Sequence, residues 1–507
     1  MGKAGKWKHL VQAIAFLCCL LILWSGINSV LSHSKDIAFW ANTYRARDFL
    51  SLEDNTIDVL ALGSSQTIRS FSPMELYEDY GISSYCAGFE QNPVMCSYLW
   101  LEEAVKKQQI SVVLFEVYEL FKEPGEAYYR KTIDSLSSPS AKKEAIQLCE
   151  DGYLQDSKLS YMFPILKYHS RYTELSEFDF MHGHTDFFRG YVLVAGKYLP
   201  ASPAQPLPTD DETIAPVEFD PLALEYLEKI RELCEEEGIE LVLFKSPVDC
   251  AVEDWPGAYK TISAWAAQNG IPYIDFNLPS MVEEIQLDYT TDLYEFNHTT
   301  FKGAEKVSAY LGEYLWEHYN LPDRRGDREY QDLDQLLEAY NRKKQNKELW
   351  YAQNLTDYLS EIQANQDGYT VILSVKDEAT KAFDAQLQNQ LCEMGFQSQL
   401  TGQDAYGKSF LGIWQDGTVV YEALAGEGDH PDGDALEFRG TLPDGVNYYV
   451  KSAGYSAGNT SSIVINGEEK SVNSRGLNIV VYDSQFGEVV DSVCFDTFLD
   501  AGLTYAR

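Results

Sequence analysis

Two short blocks, far apart in the chain, hold the residue types of a serine-nucleophile reaction. Gly63-Ser64-Ser65 stands directly after the apolar run Ile57–Leu62, and His298 precedes a helical stretch, with Asp292 and Glu295 upstream of it. A serine hydroxyl is a poor nucleophile until a base removes its proton, and imidazole suits that task near neutral pH. A carboxylate on the other ring nitrogen fixes the tautomer and stabilises the imidazolium. A serine between a strand and a helix also lies where backbone N–H groups can meet a developing oxyanion. Taken singly, Ser64 or Ser65 could be a helix cap and His298 a surface residue. The order, serine first with acid and histidine last, favours a triad. Asp292 is the expected acid and Glu295 the alternative.

The elements around these blocks alternate. Short apolar runs at Ile57–Leu62, Ser84–Phe89, Ile110–Leu120, Ile239–Phe244 and Pro272–Phe276 predict strands. Helical spacing covers Pro93–Lys107, Ala223–Glu237, Ala258–Asn269 and Phe301–Tyr319. Such alternation predicts an α/β fold with a parallel sheet covered on both faces, whose ligand crevice lies beyond the strand ends. Between about 121 and 221 the period is lost, which reads as a long insertion over the sheet, a substrate lid or a helical elaboration. His182, His184 and Asp186 in this stretch are metal-ligand types without a further cluster nearby, so no metal or other cofactor is expected. Asp275 reads as a structural strand-end carboxylate. Arg69 reads as a helix-face residue, with a substrate carboxylate or phosphate as the alternative partner.

Bulk properties set the wider frame. A 507-residue chain exceeds a single core, so at least two domains are expected. No acidic residue precedes Asp36, while Lys3, Lys6, Lys8 and Lys35 do. The remainder therefore holds 36 basic against 78 acidic side chains, a net of −42. Such a surface repels phosphate backbones, so nucleic acid is not an expected partner. The nine cysteines form no C-x-x-C pair. Cys392 and Cys494 stay open as a bridged pair. Leu10–Leu31 carries no charge and matches the roughly 20 residues that cross a bilayer. The lysines before it predict a cytoplasmic N-terminus and a single-pass anchor with the bulk outside. A cleaved signal peptide is the rival reading.

With these residues in place the stretch from about 55 to 319, apart from the insertion, resembles the SGNH (GDSL-like) hydrolase superfamily. Its closest flavour is the membrane-anchored DltD-like and alginate-acetylation-like branch. Gly63-Ser64-Ser65 resembles the nucleophile block, with Ser65 as nucleophile. Gly88 in YCAGFEQNP looks like the second-block glycine of the oxyanion hole, and His298 with Asp292 or Glu295 resembles the terminal block. The resemblance implies a flavodoxin-like sheet and action on cell-envelope polymers beside a membrane-bound O-acyltransferase. Two departures stand out. The usual acid position, three before the histidine, is Glu295. The third-block Gly-x-Asn is replaced by FEVYEL, which leaves Asn92 as a candidate replacement donor.

Residues 323–366 are charged with helical spacing and read as a connector. From 367 to 507 a smaller, strand-rich α/β unit follows. Its Arg475-Gly476-Leu477-Asn478, Gly487 and Phe495-Asp496 segment, with Lys376-Asp377-Glu378-Ala379 earlier, resembles the ILEI/PANDER-like domain in permuted order. That resemblance implies carbohydrate binding, with Trp414, Tyr455, Arg475 and Asp483 as candidate contacts. A core role for Trp414 and Tyr455 is the alternative. The expected domains are an anchor at 1–34, a hydrolase-like domain at 35–322, the connector and the C-terminal unit. The expected function is an extracytoplasmic serine esterase or O-acyltransferase on a cell-envelope glycan. The alternative is a non-catalytic glycan-binding or envelope-assembly protein.

Overall fold

The computed structural model describes residues 3–31, 37–122, 124–175, 179, 187–208, 213–252 and 255–507. His182, His184 and Asp186 lie outside them. The chain divides into two compact units, Met1–Tyr340 and Asn341–Arg507.

The first unit opens with a helix, Lys3–Leu31. Within it His9–Asn28 has a mean hydropathy of 2.4 and is unburied, long and apolar enough to cross a membrane. The unit is built on five strands: β1 (Val59–Gly63), β2 (Ser84–Gly88), β3 (Val112–Glu116), β4 (Glu240–Lys245) and β5 (Tyr273–Asp275). All pair in parallel in the order β2-β1-β3-β4-β5. This is the flavodoxin-like doubly wound order. Alternate residues feed two cores. Leu60, Leu62, Val113, Phe115, Leu241 and Leu243 face one cluster, and Val59, Ala61, Val112, Leu114, Val242 and Phe244 face the other. Burial on both faces explains the near-continuous apolar runs.

The helices Val94–Ala104, Pro221–Glu237 and Pro256–Asn269 cover the first face. Phe301–His318, with Pro73–Tyr80, covers the second. The stretch expected to be aperiodic begins with four helices: Glu126–Leu136, Pro139–Asp151, Lys158–Met162 and Ile165–Tyr168. Tyr129, Ile133 and Leu136 join the core at helical spacing. Buried Arg130, Lys131 and Thr132 between them hide the period in the sequence.

The second unit holds one ten-stranded sheet. Its central strand, Tyr369–Asp377, pairs antiparallel with Gly476–Asp483 and Phe410–Gln415, and its end pairs in parallel with Asn447–Gly454. The strand-rich α/β expectation holds for this unit. All nine cysteines are free thiols, so Cys392 and Cys494 form no bridge.

Candidate active site

Four strands of the parallel sheet, β1 to β4, end in residues packed around the turn that follows β1. At the end of β1, Gly63 has φ +146°, and a Cβ there would lie 2.2 Å from Thr67 Oγ1 and 2.9 Å from Glu116 Cβ. Glycine is therefore required for the turn into the helix Ser65–Ser70. Ser64 caps this helix, its Oγ accepting from Gln66 N–H at 3.3 Å, and is fully buried. Ser65 follows as the first helical residue, half-exposed. Its N–H has no intrahelical acceptor by geometry.

His298 arrives from the opposite end of the unit. Leu293–Glu295 and His298–Thr299 form a short antiparallel pair. Thr299 Oγ1 donates to the Arg69 carbonyl at 2.7 Å, fastening this pair to the helix Ser65–Ser70. The result brings His298 Nε2 to 2.8 Å from Ser65 Oγ. Tyr294 stacks on the imidazole, with ring centroids 5.7 Å apart. Burial, then the cations Arg69, Lys245 and Lys122, pull the His298 pKa down to about 4. The ring is thus neutral at pH 7. With its proton on Nδ1, Nε2 can accept the serine proton.

The two candidate acids occupy different places. Asp292 is buried, accepts from Asp288 N–H at 2.7 Å and pairs with Lys306 at 2.7 Å. It serves the helix that follows and does not meet the imidazole, which corrects the expectation that it orients His298. Glu295 Oε2 stands 3.6 Å from His298 Nδ1. That is beyond a hydrogen bond but on the correct ring nitrogen, and the carboxylate is 53% exposed.

Asn92 is corrected as well. It is buried, and its Nδ2 donates to Gly63 O at 3.2 Å and Ser97 Oγ at 3.0 Å. Its Oδ1 accepts from Thr132. Both donors are committed to bracing the turn, so the side chain is not aimed at an oxyanion. Gly88 lies against that turn: a Cβ there would meet Ser64 O at 2.8 Å.

Several residues of the crevice were not singled out from the sequence. Lys245 and Glu116, at the ends of β4 and β3, are fully buried and 3.4 Å apart. Burial outweighs the ammonium and lifts the Glu116 pKa. Lys245 also donates to Gln66 Oε1. An ammonium only donates, so the amide oxygen must face it and Nε2 must face away. Among the described residues Gln66 Nε2, Arg69 Nη1, Asn297 Oδ1 and His298 Nδ1 are all buried without a hydrogen-bond partner. Each such orphan costs about 1–3 kcal/mol. Gln66 and Asn297 adjoin Ser65 and His298 in sequence, and Arg69 lies on the same helix as Ser65. The signal available in the sequence was a charged residue closing an apolar strand, in VVLFE and LVLFK. Asp275 is structural, accepting from Trp255, Tyr273 and Asn277.

The C-terminal candidates do not form one face. Trp414 is 2% exposed, and its Nε1 donates to Met394 O at 3.0 Å. Asp483 is fully buried and accepts from Arg342 at 2.8 Å and Asn346 at 2.9 Å. Both are core residues, which corrects their reading as sugar contacts. Arg475 pairs with Asp496 at 2.6 Å and lies over the Phe498 ring. Tyr455 is 69% exposed.

No protein-family model matches the chain, and no curated protein matches it. Among solved structures, a GDSL-like lipase from Bacteroides thetaiotaomicron VPI-5482 is similar over 55% of this chain and 100% of its own length. The identity is 11% and the TM-score 0.27.

Proposed function

We propose that this protein is a serine-dependent esterase or O-acyltransferase of the SGNH type. The contact between Ser65 Oγ and His298 Nε2, 2.8 Å, carries the reading. In the forward step Ser65 Oγ attacks an ester carbonyl while His298 takes its proton. The tetrahedral oxyanion draws on the N–H groups of Ser65 and Gly88. Collapse returns the proton through His298 to the departing alcohol and leaves an acyl group on Ser65. Water then gives a hydrolase, and a sugar hydroxyl gives a transferase. Glu295 is the orienting acid, swinging from 3.6 Å into hydrogen-bond range as substrate excludes water. Lys245 is a positioning residue that fixes the Gln66 amide beside the nucleophile.

The apolar helix supports a single-pass anchor with a cytoplasmic N-terminus, which puts the crevice outside the cell. A cell-envelope glycan as substrate, and a membrane-bound O-acyltransferase as acyl donor, follow from the DltD-like resemblance. With Trp414 and Asp483 in the core, the ILEI/PANDER-like unit would have to engage a glycan through other residues, such as Tyr455.

A fluorophosphonate probe tests the reading. Labelling of the intact protein that disappears in Ser65→Ala supports the enzyme, and no labelling of intact protein refutes it. The second reading, a glycan-binding protein that keeps the fold without turnover, is favoured by one observation: His298 Nδ1 has no hydrogen-bond partner.

A further inference from the structure

The helical segment after β3 carries an apolar stripe that the first unit leaves uncovered. Leu159, Met162, Phe163 and Leu166 are 63, 38, 48 and 54% exposed. They lie along two consecutive short helices, Lys158–Met162 and Ile165–Tyr168, joined through Phe163 in a non-helical conformation and Pro164. Tyr172, 68% exposed, extends it. Large apolar side chains clustered in water mark a surface that something apolar covers.

The position of the stripe says what covers it. Arg171, 5% exposed, donates from Nη1 to the carbonyl of Val30 at 2.9 Å. Val30 lies in the last turn of the helix Lys3–Leu31. The apolar span ends at Asn28, two residues earlier, or roughly 3 Å along the helix axis. The stripe is therefore pinned where the span leaves the hydrocarbon. Lys158, Lys167 and His169 are exposed beside it. Lys158 pairs with Glu150 and Lys167 with Asp156, so the rim is charge-balanced, and an apolar stripe with a tyrosine at its edge suits the bilayer interface.

We propose that Leu159, Met162, Phe163 and Leu166 dock into the outer interface of the bilayer that Lys3–Leu31 spans, so that the unit lies on the membrane by two contacts. This rests on the anchor reading of the helix. Docking fixes the tilt of the unit, and with it the height of the Ser65 crevice above the lipid.

The test uses the full chain in phosphatidylcholine nanodiscs, with exposed Cys18, Cys19 and Cys392 replaced by Ser. A fluorophore is placed on Phe163→Cys or Leu166→Cys, and on Ile22→Cys as the probe of the span. Lipids brominated near the top of the acyl chain should quench all three at least twofold, and Leu159→Glu should reduce the quenching at position 163. Quenching at 22 with none at 163 and 166 overturns docking and leaves the anchor. No quenching at 22 overturns the anchor reading and docking with it.

Discussion

Replacing Glu295 separates the two carboxylates near His298. Glu295 Oε2 lies 3.6 Å from Nδ1, and Asp292 is occupied by Lys306. At 3.6 Å a carboxylate stabilises an imidazolium by about 1 kcal/mol in a water-like medium and about 5 kcal/mol at an effective dielectric of 20. Half-exposure of Glu295 screens the pair, so about 1–3 kcal/mol is the expected range, or roughly 5- to 200-fold in rate. Glu295→Gln should therefore lower kcat by that factor on a chromogenic acetate ester, leaving KM and the melting temperature nearly unchanged. Asp292→Asn should do the reverse. It removes the buried ion pair with Lys306, which keeps only Gln286 O, so the melting temperature falls while kcat of the folded fraction stays within about threefold. Stopped-flow hydrolysis normalised to folded protein, together with thermal unfolding, reads both. A larger kcat loss in Asp292→Asn than in Glu295→Gln, at equal folded fraction, would refute the assignment.

Further outcomes follow from the same contacts. His298 stays neutral in the fold down to about pH 4 against 6.5 when unfolded. The unfolded chain thus binds more protons between these values, and stability falls by about 3 kcal/mol as pH drops through that window. Denaturant unfolding against pH should show this slope in the wild type and lose it in His298→Gln. Arg69 helps hold that pKa down, so Arg69→Met should move the acid limb of the pH–rate profile upward from about pH 4. Lys245→Ala strands the buried Glu116 carboxyl and should cost about 3–5 kcal/mol in urea unfolding. Lys245→Met with Glu116→Leu should recover most of that. Trp414→Ala empties a core position and should cost about 3–5 kcal/mol in the C-terminal unit.

The sheet was legible because its strands are buried on both faces and read as apolar runs. Each of the five runs overlaps a strand, although Ile110–Leu120 shortens to Val112–Glu116 where the chain leaves the sheet and turns into a 3₁₀ segment, Tyr118–Phe121. The meeting of Ser65 with His298 follows from topology, since both stand where chain passes the carboxyl edge of the sheet. Side-chain direction was not legible. Asp292 lies closer in type to the usual triad acid, yet one turn of helix carries it to Lys306, while the hairpin register pairs Glu295 with His298. Asn92 has the right donor but spends it on Gly63 O and Ser97. Lys245 was hidden because a lysine at a strand end looks like solvent-facing charge until the neighbouring strand supplies Glu116. In the C-terminal unit the aromatic and acidic types expected of a sugar site are the same types a core uses, and Trp414 and Asp483 went to the core.

Peptide mapping of the phosphonylated full-length protein by mass spectrometry tests the central proposal most directly. One adduct is expected on Ser65, none on the buried capping Ser64, and the adduct should be lost in His298→Ala with the fold intact. An adduct on any other residue, or equal labelling after His298→Ala, would contradict it.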